Sequence, residues 1–152
     1  MANVAGLQVH GLNHAGFTVT DLEAALAFLT EGLGFTLISR ALRPGDMAQR
    51  LTGVPGAKVE IAFVALDGFQ LELIRFHQGG GEGGAIASPA CPGSAHIALS
   101  VTDVAAVSEL AQRHGARLLG DVVTIPAGPN MGGKVGYLHH PAGLLLELIA
   151  RG

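Results

Sequence analysis

Gly143-Leu144-Leu145-Leu146-Glu147-Leu148-Ile149 is an aliphatic run with one carboxylate in its middle. Side chains alternate along a strand, so Leu144, Leu146 and Leu148 share one face while Leu145, Glu147 and Ile149 share the other. A lone ionised Glu in so apolar a strand is costly unless something pairs with it or coordinates it. The same arrangement occurs earlier, as Gly68-Phe69-Gln70-Leu71-Glu72-Leu73-Ile74. Two copies of an uncommon pattern point to a repeat, and the rest of the chain can be aligned on it.

Upstream of each copy lies a strand that carries a histidine at its third position. Leu12 to Thr20 (LNHAGFTVT) places His14, Gly16 and Thr18 on one face and Ala15, Phe17 and Val19 on the other. Ser94 to Thr102 (SAHIALSVT) repeats it, with His96 in the place of His14. Asp21 and Asp103 then stand as helix N-caps. The first helix carries Leu22, Ala25, Leu26, Leu29 and Leu33 at helical spacing, and the second carries Val104, Val107, Leu110 and Ala111. Phe35 to Arg40 begins a second strand, Arg43 to Val54 is irregular, and Lys58 to Leu66 and Gly68 to Phe76 form a hairpin about Asp67-Gly68. In the second copy the corresponding strands are Arg117 to Val123, Lys134 to His139 and Gly143 to Ile149, with Pro126 to Gly133 as a loop.

The predicted fold is therefore α+β, two duplicated βαβββ modules. Module one spans residues 1–76, a Gly/Pro-rich linker spans 77–93, and module two spans 94–152. His14 and His96 lie 82 apart (96 − 14), and Glu72 and Glu147 lie 75 apart (147 − 72), so the second copy is seven residues shorter. Parity puts each His and each Glu opposite the apolar residues that must cover a helix. All four are expected to project from a helix-free, concave face. Two imidazoles and two carboxylates can hold one divalent ion and leave positions for water or substrate. Ni, Co, Zn and Mn all suit that mixed ligand set.

Composition bounds the function classes. In 152 residues with 49 % hydrophobic content there is enough apolar material for a buried core. No apolar run is long enough to span a membrane, and the first residues lack the pattern of a signal peptide. The single Cys91 provides no intrachain disulfide and suits a reducing, cytoplasmic setting. A net charge of −3 with scattered basic residues does not favour nucleic acid as a partner. The expected partner is a small-molecule substrate.

The pairing of NHAGFTVTDLEAALAFLTEGLGF and FQLELI with AHIALSVTDVAAVSELAQRHGA and LLLELI resembles the vicinal oxygen chelate superfamily. That superfamily includes glyoxalase I, methylmalonyl-CoA epimerase, extradiol dioxygenases, and fosfomycin- and bleomycin-resistance proteins. The resemblance implies two modules forming an incomplete barrel around a metal site, and homodimers. It also implies metal-dependent lyase or isomerase chemistry: a proton is abstracted next to a carbonyl through a metal-stabilised enediolate. The His/Glu/His/Glu set looks like glyoxalase I, while Lys58-Val59-Glu60-Ile61-Ala62 resembles an epimerase segment carrying a catalytic carboxylate at Glu60. Glu147 is then the first candidate for the base, Glu72 the second, and Glu60 the third if the enzyme is epimerase-like. Two alternatives stand beside this. One is an extradiol dioxygenase, which would use Fe; the other is a metal-free protein that binds a small molecule such as an antibiotic. His139 and His140, at a turn before Pro141, are expected to be solvated, and His77 has no patterned partner.

Overall fold

A computed structural model describes residues 10–81 and 88–152, together with the backbone of a two-strand ladder, β1 (Asn3–Val4) with β2 (Leu7–Gln8). Residues 82–87, inside the Gly/Pro-rich stretch, lie outside the described residues. The first βαβββ unit consists of β3 (Ala15–Thr18), α1 (Leu22–Ala27), β4 (Thr36–Arg43), β5 (Lys58–Leu66) and β6 (Phe69–Gln78). The second consists of β7 (Ile97–Ser100), α3 (Val104–Gln112), β8 (Arg117–Leu118), β10 (Lys134–His140) and β11 (Leu144–Ala150), with the short β9 (Val123–Thr124) added beside β10. A further helix, α2 (Gly45–Thr52), joins β4 to β5.

Both sheets have the same order. It is β3-β6-β5-β4 in the first and β7-β11-β10-β8 in the second, so each first strand pairs with the last one. That one pairing is parallel, and the others are antiparallel. Each sheet therefore ends on its first strand, and the two sheets do not close into a barrel.

The helices begin where their caps dictate. Asp21 accepts from the Ala24 amide at 3.1 Å, and Asp103 accepts from Ala105 and Ala106 at 2.8 and 3.1 Å. α1 continues into a π turn, Phe28–Gly32, which buries Phe28 and Leu29 together. The hairpin at Asp67-Gly68 uses two positive φ angles, 48° and 78°, as a type I′ turn requires. One core serves both units: Leu22, Ala25, Leu26, Phe28 and Leu29 from the first helix pack with Leu71, Leu73, Val104, Ala111, Leu144, Leu146 and Leu148. The α3 stripe differs at one place from the helical-spacing expectation. Ser108 is buried and donates to the Val104 carbonyl, while Leu110 is 38 % exposed.

Two differences bear on the site. The Arg43–Val54 segment, expected to be irregular, holds α2. Its Ala48, with Val54 beyond the helix, packs on Val59, Ile61, Phe63, Ile74 and Phe76. Those residues share the face of Glu72, so that face is not helix-free in the first sheet. His140, expected in solvent, is 2 % exposed. Its ring stacks on Phe28 at 4.5 Å, Nε2 donates to the His114 carbonyl at 2.9 Å, and Nδ1 accepts from Ala142. The turn after β10 is thereby locked against the end of α1. A bond from the Thr20 amide to the Ala142 carbonyl reinforces the junction.

Candidate active site

Each sheet assembles one His/Glu pair by register. Gly16 lies beside Glu72 on the parallel β3/β6 ladder, and His14 immediately precedes β3. A side chain at Gly16 would meet Glu72 Oε2 at 3.3 Å, so glycine leaves room for the carboxylate. The result is His14 Nε2 facing Glu72 Oε2 at 3.3 Å. In the second sheet Ala98 lies beside Glu147, and His96 Nε2 faces Glu147 Oε2 at 3.2 Å.

These separations are longer than a charge-assisted hydrogen bond, about 2.7–2.9 Å. They match the distance between two donor atoms on one ion: bonds of about 2.1 Å at 90–110° put the ligands about 3.0–3.4 Å apart. His14 gives a second indication. Its Nδ1 lies 2.7 Å from Asn13 Oδ1, an acceptor, so the ring proton belongs on Nδ1. In a neutral ring this puts the lone pair on Nε2, on the side of the carboxylate oxygen. An imidazole nitrogen and a carboxylate oxygen at this spacing can share a cation, and a hydrogen bond on the other ring nitrogen is common for metal-binding histidines. The residues therefore fit a divalent ion, pair by pair. Among the described residues, no three His, Cys, Asp or Glu side chains come together as a metal cluster, so the four candidate ligands stand as two separate pairs.

The pairs differ in what lies beside them. Phe63 is opposite Glu72 on β5 and meets His14 edge-on at 5.3 Å. Tyr137 is opposite Glu147 on β10, meets His96 edge-on at 5.1 Å, and brings its hydroxyl to 3.3 Å from His96 Nε2. Burial, followed by the charge of Glu147 and a hydrogen bond to it, raises the Tyr137 pKa and keeps the phenol protonated. Tyr137 carries no periodic signal of its own; only the β10/β11 register places it here.

Glu60 is not brought to either pair. It sits on the other face of β5 with Ala62 and Val64, where Arg40 Nε donates to it at 2.6 Å and His77 lies at 3.1 Å. Arg40 also bonds Glu23 on α1. The Arg40 hydrogen bond lowers the Glu60 pKa, with His77 contributing in the same direction. An open cleft of about 1770 Å³ runs between the free edges of β3 and β7, lined by Gly16, Thr18, His96, Ala98, His139 and Leu145 among others.

Residues 13–137 match the model of the glyoxalase/bleomycin resistance protein/dioxygenase superfamily. The chain belongs to this superfamily. It is 34 % identical over 145 residues to a 2-epi-5-epi-valiolone epimerase from an Actinomyces species, covering 91 % of this chain and 78 % of that protein. A glyoxalase family protein from Bacillus cereus superposes with a TM-score of 0.83 at 26 % identity, over 99 % of this chain and 100 % of the other. The fosfomycin resistance protein FosX of Listeria monocytogenes, crystallised with Mn(II) and sulfate, shares the fold. Its TM-score is 0.59 at 19 % identity, over 95 % of each chain. The superfamily description spans enzymes and resistance proteins, and the relative is named for an epimerase activity.

Proposed function

We propose that this protein is a divalent-metal-dependent epimerase acting on a carbon next to a ketone carbonyl. His14, Glu72, His96 and Glu147 would hold the ion. The observation that carries the reading is the His Nε2 facing a carboxylate oxygen at ligand-to-ligand spacing, found once in each sheet. The relative's name favours epimerisation of a ketone over a lyase reaction.

A divalent ion there would act as a Lewis acid on the substrate carbonyl. The chain's own carboxylates handle the proton. Glu147, oriented by the Tyr137 hydroxyl, removes it from one face of the carbon as general base. The electron pair left on carbon delocalises onto the carbonyl oxygen, making the carbon planar. Glu72, which belongs to the other half of the site, would deliver to the opposite face a proton it takes up from solvent, while Glu147 releases its own to solvent. Glu60 takes no part, because Arg40 occupies it and it stands on the face of β5 opposite that of Glu72.

The two pairs stand apart in one chain, and a homodimer would unite them: each protomer offers its His14–Glu72 pair to the partner's second pair. Mixing two inactive variants, His14→Ala and His96→Ala, tests this. Recovery of activity on mixing is expected, since one hybrid site keeps all four ligands. No recovery, from variants that still exchange subunits, would place the site within one chain. The chemistry is tested by solvent deuterium exchange into hydroxy ketones and by elemental analysis of the parent and His96→Ala. Catechol cleavage with oxygen uptake and no carbon-bound exchange would overturn the epimerase reading. Equal metal content in both proteins would overturn the ligand set.

A further inference from the structure

His139 stands on the same face as Glu147 without belonging to the His96–Glu147 pair. On the β10/β11 ladder it is opposite Leu145, and the β11/β7 register (Leu146 with Ile97) sets Leu145 level with His96. His139, Leu145 and His96 thus form one row across the sheet. With strands about 4.8 Å apart, the His139 backbone is about 10 Å from that of His96, roughly the length of a substituted six-membered ring. Both His139 ring nitrogens are buried and have no hydrogen-bond partner among the described residues. Such a group is destabilising in the free protein.

The residue nonetheless lines the cleft between β3 and β7, together with Thr18, His96 and Leu145. Its partial exposure therefore does not come from its nitrogens. A half-turn about χ2, a broad and nearly two-fold torsion, exchanges the nitrogen and carbon positions of the ring. The neighbouring groups on this face are accounted for. Leu145 is apolar, Tyr137 is engaged at His96 and Glu147, and Arg117 is opposite His139 on β8. Burial, and then the charge of Arg117, lower the His139 pKa, so the ring is neutral. A neutral imidazole presents one donor and one acceptor, which complements a hydroxyl group. A carboxylate or phosphate, which only accepts, would be matched by a cationic ring instead.

We propose that His139 is a specificity-determining residue, turning its ring to hydrogen-bond a hydroxyl of the substrate across Leu145 from His96. The substrate class is then a hydroxylated ketone. This rests on the epimerase reading above.

The test compares 2-hydroxycyclohexanone with a pentahydroxylated cyclohexanone, following deuterium exchange next to the carbonyl in the parent, His139→Leu and His139→Gln. His139→Leu should raise the KM of the pentahydroxy ketone roughly tenfold while moving that of the monohydroxy ketone far less. His139→Gln, which keeps a donor and an acceptor, should restore most of the difference. Equal changes for both ketones, or none for either, would overturn the proposal and leave the epimerase reading standing. Should the parent exchange neither ketone, the epimerase reading fails, and calorimetric titration with the pentahydroxy ketone decides His139. Binding lost in His139→Leu and kept in His139→Gln supports the role, whereas equal binding, or none by the parent, overturns it. His139→Leu should also melt no lower than the parent, because it removes two unpaired nitrogens. A lower melting temperature would show a partner in the fold and count against the proposal.

Discussion

Replacing His140 by alanine should destabilise the fold far more than its place beside a proline turn suggests. The ring is buried against Phe28 and makes two hydrogen bonds, to the His114 carbonyl and from the Ala142 amide. The substitution deletes an aromatic contact and leaves two buried backbone groups unpaired, which together cost roughly 3–5 kcal/mol. At about 2–4 °C per kcal/mol for a chain of this size, the melting temperature should fall by about 10 °C or more. The same burial makes stability depend on pH. Desolvation lowers the His140 pKa; the bond to His114 and the charge of Asp21 oppose it, and His139 and His114 reinforce it. A histidine whose folded pKa is depressed stays neutral while the unfolded chain takes up a proton. Its contribution is therefore intact above the unfolded value of about 6.5 and is lost as pH falls below it, by up to about 1.4 kcal/mol per pH unit. His140→Phe keeps a ring against Phe28 and removes the titration. Urea midpoints from about pH 7.5 down to about 5.5 should fall more steeply for the parent than for His140→Phe. Equal slopes, or a His140→Ala protein melting within about 2 °C of the parent, would refute the reasoning.

Glu60→Gln should leave proton exchange unchanged and cost less than about 1 kcal/mol, because its ion pair with Arg40 is only partly buried. A large loss of turnover at unchanged metal content would return Glu60 to the site. Tyr137→Phe makes the second pair resemble the first and removes a bond to a charged acceptor, so kcat should drop about ten- to a hundredfold. Metal content by elemental analysis should stay at the parental level, and a matching loss of metal would show a role in binding the ion instead. Asp103→Ala uncaps α3 and should lower stability by about 1 kcal/mol in a urea melt. No change there would mean that water or another group replaces the cap.

The four candidate ligands were legible because a repeat doubles every signal. His14 with Glu72 and His96 with Glu147 stand at matching places in two copies, each opposite the leucines that must be buried. Period-two alternation then fixes their face without any knowledge of the neighbouring strands. The helix starts at Asp21 and Asp103 and the Asp67-Gly68 hairpin were legible for the same reason, since caps and turns act within a few residues. The helix α2 was not. Pro44 makes no side-chain cap bond, Ala48 is its one buried residue, and a helix held by so few local signals depends on the sheet it covers.

The sequence by itself determined the two modules, their leucine-bearing faces and the opposite strand face on which Glu72 and Glu147 stand, because these follow from the local geometry of a strand or a helical turn. Only the tertiary structure decided that the four candidate ligands stand as two pairs, that Tyr137 attends one Glu and Phe63 the other, and that Arg40 and His77 engage Glu60. It also decided that His140 is core while the His139 ring nitrogens have no partner among the described residues. Each of these depends on strand register and inter-module contacts between residues distant in the chain, whose spacing carries no period for a sequence to display.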